Sequence, residues 1–162
     1  MEIREATDAD WVQIWPFFHG IVAAGDTFTY PRDIGAEAAR AMWMKRPPGR
    51  TFVAVDERGT VLGTAESHPN QPGPGSHVAN GSFMVDPAYG GRGIGRALAE
   101  HVIDACRADG YRAMQFNAVV ETNTHAVRLW QKVGFEILAT VPGGFHHADG
   151  RYVGLHVMYR AL

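Results

Sequence analysis

Cysteine is all but missing: Cys106 stands alone among 162 residues. One thiol excludes an internal disulfide framework and fits a reducing cytoplasm, so a cytoplasmic protein is expected. No apolar run approaches the roughly 20 residues that span a bilayer. The opening segment, Met1-Glu2-Ile3-Arg4-Glu5, lacks the apolar stretch of a secretory leader. Neither charge sign dominates, since 15 Lys and Arg face 17 Asp and Glu for a net charge of −2. That balance argues against a general nucleic-acid or membrane-surface binder. What is present is an apolar fraction of 46% and enough aromatic residues to exclude disorder. The length suits one α/β domain over residues 1–162 and would cramp two.

Ile3 to Ala6 alternates as a short strand. Thr7 then reads as a helix N-cap with Asp10 three residues on. Trp11, Ile14, Trp15, Phe18 and Val22 recur at helical spacing, with Pro16 expected to kink that helix and Gly25-Asp26 to end it. Thr27-Phe28-Thr29-Tyr30-Pro31 is an aromatic loop. Ala36 to Lys45 is a second helix, stopping before Pro47-Pro48-Gly49. Thr51 to Val55 and Val61 to Glu66 form a hairpin around the turn at 56–60. Residues 69–76 hold too much Pro and Gly for regular structure. A strand follows from His77 to Val85, then an amphipathic helix from Gly93 to Asp109, closed by Gly110. Ala113 to Val120 is a strand, Asn123 to Lys132 a helix, and Phe135 to Val141 a strand. Pro142 to Gly150 is expected as a loop, and Tyr152 to Arg160 as the last strand. The order is βααβββαβαββ, which predicts a mixed sheet covered by helices.

The segment Val85-Asp86-Pro87-Ala88-Tyr89-Gly90-Gly91-Arg92-Gly93-Ile94-Gly95-Arg96 ends a strand and opens a helix through glycines. Free N–H groups and the helix dipole at such a start stabilise an anion, above all a phosphate. Glycine lets the backbone come close to that phosphate, and Arg92 and Arg96 offer charge-assisted contacts. A Walker loop is excluded, because no Lys-Ser or Lys-Thr follows. A dinucleotide fingerprint starting at Gly91 fails at Arg96, and one starting at Gly93 fails at Leu98. A glycine turn without a ligand remains the alternative on spacing alone.

Arg92-Gly93-Ile94-Gly95-Arg96-Ala97-Leu98 after Val85-Asp86-Pro87 resembles the pyrophosphate loop of the GNAT acyl-CoA-dependent N-acetyltransferases, Gln/Arg-x-x-Gly-x-Gly/Ala. The leading Gln/Arg falls on Gly90, a departure that removes one side-chain contact. Asn123-Thr124-His125-Ala126-Val127-Arg128-Leu129-Trp130-Gln131-Lys132-Val133-Gly134-Phe135 resembles the family's Asn-x-x-Ala-x-x-Leu-Tyr-x-Lys-x-Gly-Phe helix. The order of elements is also the family's. Within the family, residues 77–85, residues 116–123 and Leu129-Trp130 are similar to the fungal acetyltransferase of the proline analogue azetidine-2-carboxylate.

The resemblance implies a mostly antiparallel sheet, flanked by about four helices and splayed at the strand before the glycine turn. It implies acetyl-CoA as co-substrate and no metal. The pantetheine arm would pair with Phe83, Met84 and Val85, with the Val85 N–H facing the thioester oxygen. Gly90 to Arg96 would hold the pyrophosphate, and Asn123 and Trp130 would lie along the cofactor. Asn123 reads equally as a helix N-cap. The family's general acid is a Tyr where this chain has Trp130, and an indole cannot protonate a sulfur. Solvent, His125 or Tyr89 is then left to protonate a thiolate whose ordinary pKa is about 8.5. Cys106, on an apolar helix stripe, reads as core packing rather than as a nucleophile, so direct transfer in a ternary complex is expected.

Asn80 and Asn117 sit mid-strand, where a buried amide needs partners. They read either as internally bonded or as a pair gripping the substrate. Phe28 and Tyr30 are candidate walls of the amine pocket, with packing over the sheet as the alternative. Glu66 is a candidate base through water, or a solvated residue at a strand end. Eight histidines include His146-His147 beside Asp149, but no spacing matches a zinc site. The 142–150 loop is expected to be a substrate-side flap or a dimer contact, and a homodimer paired along the C-terminal strands fits the family. The expected activity is acetyl transfer to a small amine such as a cyclic imino acid or amino-acid analogue. The alternatives are a non-catalytic acyl-CoA-binding regulator and a protein or peptide N-acetyltransferase.

Overall fold

In the computed structural model, which describes residues 1–162, seven strands form one sheet in the order β1-β2-β3-β4-β5-β7-β6. They are β1 (Glu2–Glu5), β2 (Arg50–Val55), β3 (Val61–Pro69), β4 (Val78–Val85), β5 (Ala113–Val120), β6 (Glu136–His146) and β7 (Tyr152–Ala161). The helices are α1 (Trp11–Ala24), α2 (Ala36–Trp43), α3 (Ile94–Ala108) and α4 (Thr124–Lys132). This is the predicted order and the predicted mixed, mostly antiparallel architecture.

β2 reads as an apolar run because both of its faces are covered. Phe52 and Ala54 pack into the layer under α3, while Val53 and Val55 pack into the layer under α1 and α2. The first layer is closed by Leu98, Val102, Met114, Phe116 and Met158, the second by Ile14, Phe18, Trp43 and Met84.

The junction of β4 and β5 decides the function. These strands are parallel and pair only at Val78 with Ala113 and Ala79 with Met114. Past that point they part, while β4 stays paired with β3 as far as Val85 opposite Gly63. The Asp86 N–H donates to the Leu62 carbonyl at 3.0 Å. Alternation along an antiparallel ladder then sends the N–H and C=O groups of Phe83 and Val85 away from β3 and into the opening.

Several boundaries differ from expectation. α2 ends at Trp43 rather than Lys45, because the Thr51 hydroxyl donates to the Trp43 carbonyl (2.9 Å) and accepts from the Lys45 N–H (2.9 Å), taking over the groups a further turn would use. β3 continues past Glu66 to Pro69, since Ser67 and His68 still pair with Gly81 and Asn80. β6 runs through Pro142, Gly143 and Gly144 to His146, so most of the expected 142–150 loop is strand, with a register break between Val141 and Phe145. Pro142 is tolerated there because β6 is the outer strand and its ladder is interrupted at that point. Pro16 sits inside α1 without ending it. The carbonyl it deprives of a donor belongs to Val12, on the solvent side at 74% exposure.

Asp10 ties the start of α1 to β1. Its carboxylate accepts two bonds from Arg4 at 2.8 Å and one each from the Thr7 N–H (2.7 Å) and hydroxyl (3.0 Å). The Arg4 guanidinium, helped by Thr7, holds the carboxyl down to about 2 from its ordinary 3.8. A depressed acid stabilises the fold above its unfolded pKa, and that stability is lost as pH falls from near 4 toward 2. Asp10→Asn is expected to remove on the order of 2 kcal/mol at neutral pH and to flatten the acid limb of stability. Urea unfolding of both proteins at neutral and acid pH measures it; the wild-type acid sensitivity surviving in the variant refutes the assignment.

Candidate functional site

At the glycine turn, Gly91 and Gly93 adopt φ of 76° and 78°, the left-handed region that favours glycine. The Asp86 side chain caps the turn by accepting the Ala88 N–H at 2.9 Å. The first helical bond of α3 runs from the Ala97 N–H to the Gly93 carbonyl (3.0 Å), so the N–H groups of Ile94, Gly95 and Arg96 precede any helical acceptor. They face a cleft of about 800 Å³ that runs from the glycines along α4 to the parted strands. Phe83, Met84, Val85, Gly90, Gly91, Gly93, Ile94, Gly95, Arg96, Asn123 and Trp130 all line it. Arg92 does not line it, because its guanidinium lies over the Tyr89 ring at 5.4 Å. The free N–H groups, the left-handed glycines and the unpaired edge of β4 suit a phosphate and an amide-bearing arm, which are the parts of acetyl-CoA.

A second cleft, of about 440 Å³, opens on the α1/α2 side of the same gap. All five residues expected near the amine line it: Phe28, Tyr30, Glu66, Asn80 and Asn117. Phe28 and Tyr30 stack on each other (5.5 Å), and Tyr30 also stacks on Phe18 (6.0 Å), so packing and wall-building are one role here. Burial and the Glu66 charge raise the Tyr30 phenol further above its usual range, keeping it neutral. Asn117 is fixed by Asn70, whose Oδ1 accepts from its Nδ2 at 2.7 Å, and by Gln115 (3.0 Å). The Asn80 Oδ1 accepts the Gly81 N–H at 2.8 Å, which leaves its NH2 end for the cleft.

The two clefts meet. Thr27, Phe28, Phe83, Asn123, Ala126 and Trp130 line both. Phe83 is therefore at the meeting point, whereas Val85 lines the glycine-side cleft alone. Trp130 is 7% exposed and packs on Phe83 (4.8 Å) and Phe116 (4.7 Å). Asn123 caps α4, accepting from the Ala126 N–H at 3.3 Å. The Thr27 hydroxyl, at the junction of the two clefts, is buried with no hydrogen-bond partner in the protein.

Glu66 corrects the view of a solvated strand end: it is 1% exposed and lies inside β3. Its carboxylate lies 2.7 Å from the His68 Nδ1 and 3.7 Å from the Lys45 Nζ. Sequence reasoning missed Thr27, Lys45 and His68. Thr64, Glu66 and His68 alternate and share one face of β3, a pattern that shows only once the strand is carried past Glu66. His146 and His147 are engaged elsewhere: His146 stacks on Tyr152 at 4.5 Å, and the His147 Nδ1 accepts the Asp149 N–H at 3.2 Å.

The chain is similar in sequence and in fold to known acetyltransferases. A GCN5-related N-acetyltransferase from Kribbella flavida is 56% identical, with a TM-score of 0.96, covering 99% of this chain and 97% of that one. yncA of Salmonella typhimurium, solved with its cofactor acetyl-CoA, is 27% identical at a TM-score of 0.89, covering 100% of this chain and 94% of that one. The N-acetyltransferase aca1 of Schizosaccharomyces pombe is 35% identical over 88 residues, which are 54% of this chain and 42% of that protein. The chain thus spans less than half the length of that relative. The L-methionine sulfoximine/L-methionine sulfone acetyltransferase of Salmonella typhimurium is 27% identical over 144 residues, 88% of this chain and 84% of that one. Residues 15–135 match the family described as the acetyltransferase (GNAT) family, and the chain belongs to this family of acyltransferases.

Proposed function

We propose that the chain transfers the acetyl group of acetyl-CoA to the amine of a small amino-acid-like molecule, with both substrates bound at once. The observation that carries this reading is the meeting of the glycine cleft and the smaller polar cleft at Phe83. The relatives named for amino-acid analogues support the amine class. In this reading Gly91, Gly93 and the first N–H groups of α3 hold the pyrophosphate, and the Val85 N–H and C=O pair with the pantetheine arm. The Phe83 N–H takes the thioester oxygen in place of Val85, because Phe83 alone of the two reaches the amine side. A preorganised donor at a developing oxyanion lowers a barrier by about 2.7–4 kcal/mol. Trp130 shapes the channel and protonates nothing, so the departing thiolate takes its proton from the amine or from water.

Thiol release with acetyl-CoA and a panel of amines tests the reading. The panel holds azetidine-2-carboxylate, primary amino acids, methionine sulfone, a polyamine and a short peptide. Release with amino acids or the cyclic imino acid is expected. Release with peptide alone rejects the substrate class, and release with none, while acetyl-CoA binds, rejects the activity.

Asn80 offers its NH2 end to the small cleft, and Asn117 lines it with its amide bonded to Asn70 and Gln115. Asn80→Ala is expected to raise KM for the amine about tenfold, the value of one hydrogen bond, while the Kd for acetyl-CoA stays fixed. Wild-type kinetics in Asn80→Ala and Asn117→Ala would take the pair out of the site.

A further inference from the structure

β3 carries polar side chains on the face that α1 and α2 cover. Thr64 is used up within the fold, accepting the Trp43 indole N–H (3.0 Å) and donating to the Phe52 carbonyl (2.8 Å). Glu66 is different. Its side chain is 2% exposed, yet its partners, His68 and Lys45, are 31% and 25% exposed and both line the small cleft. A carboxylate taken from water and held beside Tyr30 is retained at a cost, and such placements concentrate at functional sites.

The His68 Nδ1 meets the Glu66 carboxylate at 2.7 Å, on a ring that lines the amine cleft. In the neutral tautomer with the proton on Nδ1, that contact is a hydrogen bond to the carboxylate and Nε2 is the free acceptor. Glu66 pairs across the ladder with Ser82, the residue before Phe83, and His68 pairs with Asn80. The pair thus lies on the strand next to the point where the thioester is expected.

We propose that the His68 Nε2 accepts the proton of the incoming ammonium, and that Glu66 is the positioning residue that holds the His68 tautomer and balances the imidazolium. This rests on the acetyl-transfer reading of the clefts. The ammonium gives one proton to Nε2, and the neutral nitrogen attacks the thioester carbon. The C–N bond forms as the C–S bond breaks, and the second nitrogen proton passes to the departing thiolate. The imidazolium then returns its proton to water through the cleft. The titratable groups facing the pair are Lys45, from the segment between α2 and β2, and Tyr30, from the loop before α2. β4 and β5 contribute Asn80, Ser82 and Asn117, which do not titrate.

The test is the pH dependence of kcat and KM for wild type, His68→Gln and Glu66→Gln, with acetyl-CoA affinity and Tm alongside. His68→Gln is expected to lower kcat/KM about 100-fold near neutral pH at unchanged acetyl-CoA affinity. That gap narrows as pH rises, because more of the amine arrives already neutral. Glu66→Gln is expected to lower kcat and displace the acid limb of the profile, which loss of packing alone would not do. If burial of the amide unfolds Glu66→Gln, His68→Gln decides. A wild-type kcat and pH profile in His68→Gln, or a loss confined to KM and constant with pH, overturns the proton role and leaves acetyl transfer standing. A wild type that turns over no amine overturns both.

Discussion

Replacing Gly93 by Val is expected to abolish acetyl-CoA binding while the chain stays folded. The residue sits at φ 78°, and a Cβ built there would meet no protein atom within 4 Å. The open space belongs to the cleft beside the first N–H groups of α3, so the new side chain occupies ligand volume rather than core volume. A β-branched residue in the left-handed region adds strain of about 1–3 kcal/mol, which a protein of ordinary stability survives. Blocking several backbone donors at once removes far more from a phosphate ligand than one lost side-chain contact would. Calorimetric titration with acetyl-CoA, beside thermal unfolding of the same sample, checks both halves. Binding at wild-type affinity would remove the glycine turn from the site.

Trp43→Ala is expected to give the largest loss of stability. Trp43 is 0% exposed and packs edge-on against Phe18 (5.3 Å) and Phe28 (6.3 Å). Its indole N–H satisfies the buried Thr64 hydroxyl. Truncating a buried Trp costs about 3–5 kcal/mol, and the cavity forms where α2 meets the sheet. With total stabilities of about 5–15 kcal/mol, such a change consumes a large share of the fold. Because Phe28 loses its backing, amine KM should worsen even where the protein is still folded. Urea unfolding measures the first effect and kinetics well below the midpoint the second; a loss under about 1 kcal/mol would show that the layer re-packs around the gap.

The order of elements was readable because each long segment carried one clear period. The apolar stripe that carries Cys106 led to the face its helix buries, whereas the two buried faces at Phe52 and Val53 emerged only from the packing on both sides of the sheet. The glycine turn was readable too, because Gly91 and Gly93 stand where the chain needs positive φ. Three things were hidden. The end of α2 depends on Thr51, which lies past the helix and acts through its hydroxyl. The length of β6 depends on pairing with β7, which overrides the turn preference of Pro142 and Gly143. The Glu66–His68 pair was hidden because a strand thought to stop at Glu66 places its last side chain in water, whereas three more paired residues bury it. Arg92 shows the opposite limit: its position in the loop suggested an anion contact, and stacking on Tyr89 turned it aside.

Cys106 has a practical consequence. It is the only thiol in the chain, is 0% exposed on α3, and burial pushes it up to about 11. At neutral pH a colorimetric disulfide reagent should leave the native protein unlabelled and report the released coenzyme alone. Each unfolded chain, by contrast, should consume one equivalent. The same cuvette then counts catalytic turnovers and opened molecules on separate time courses, with no dye or tag, for every variant named above.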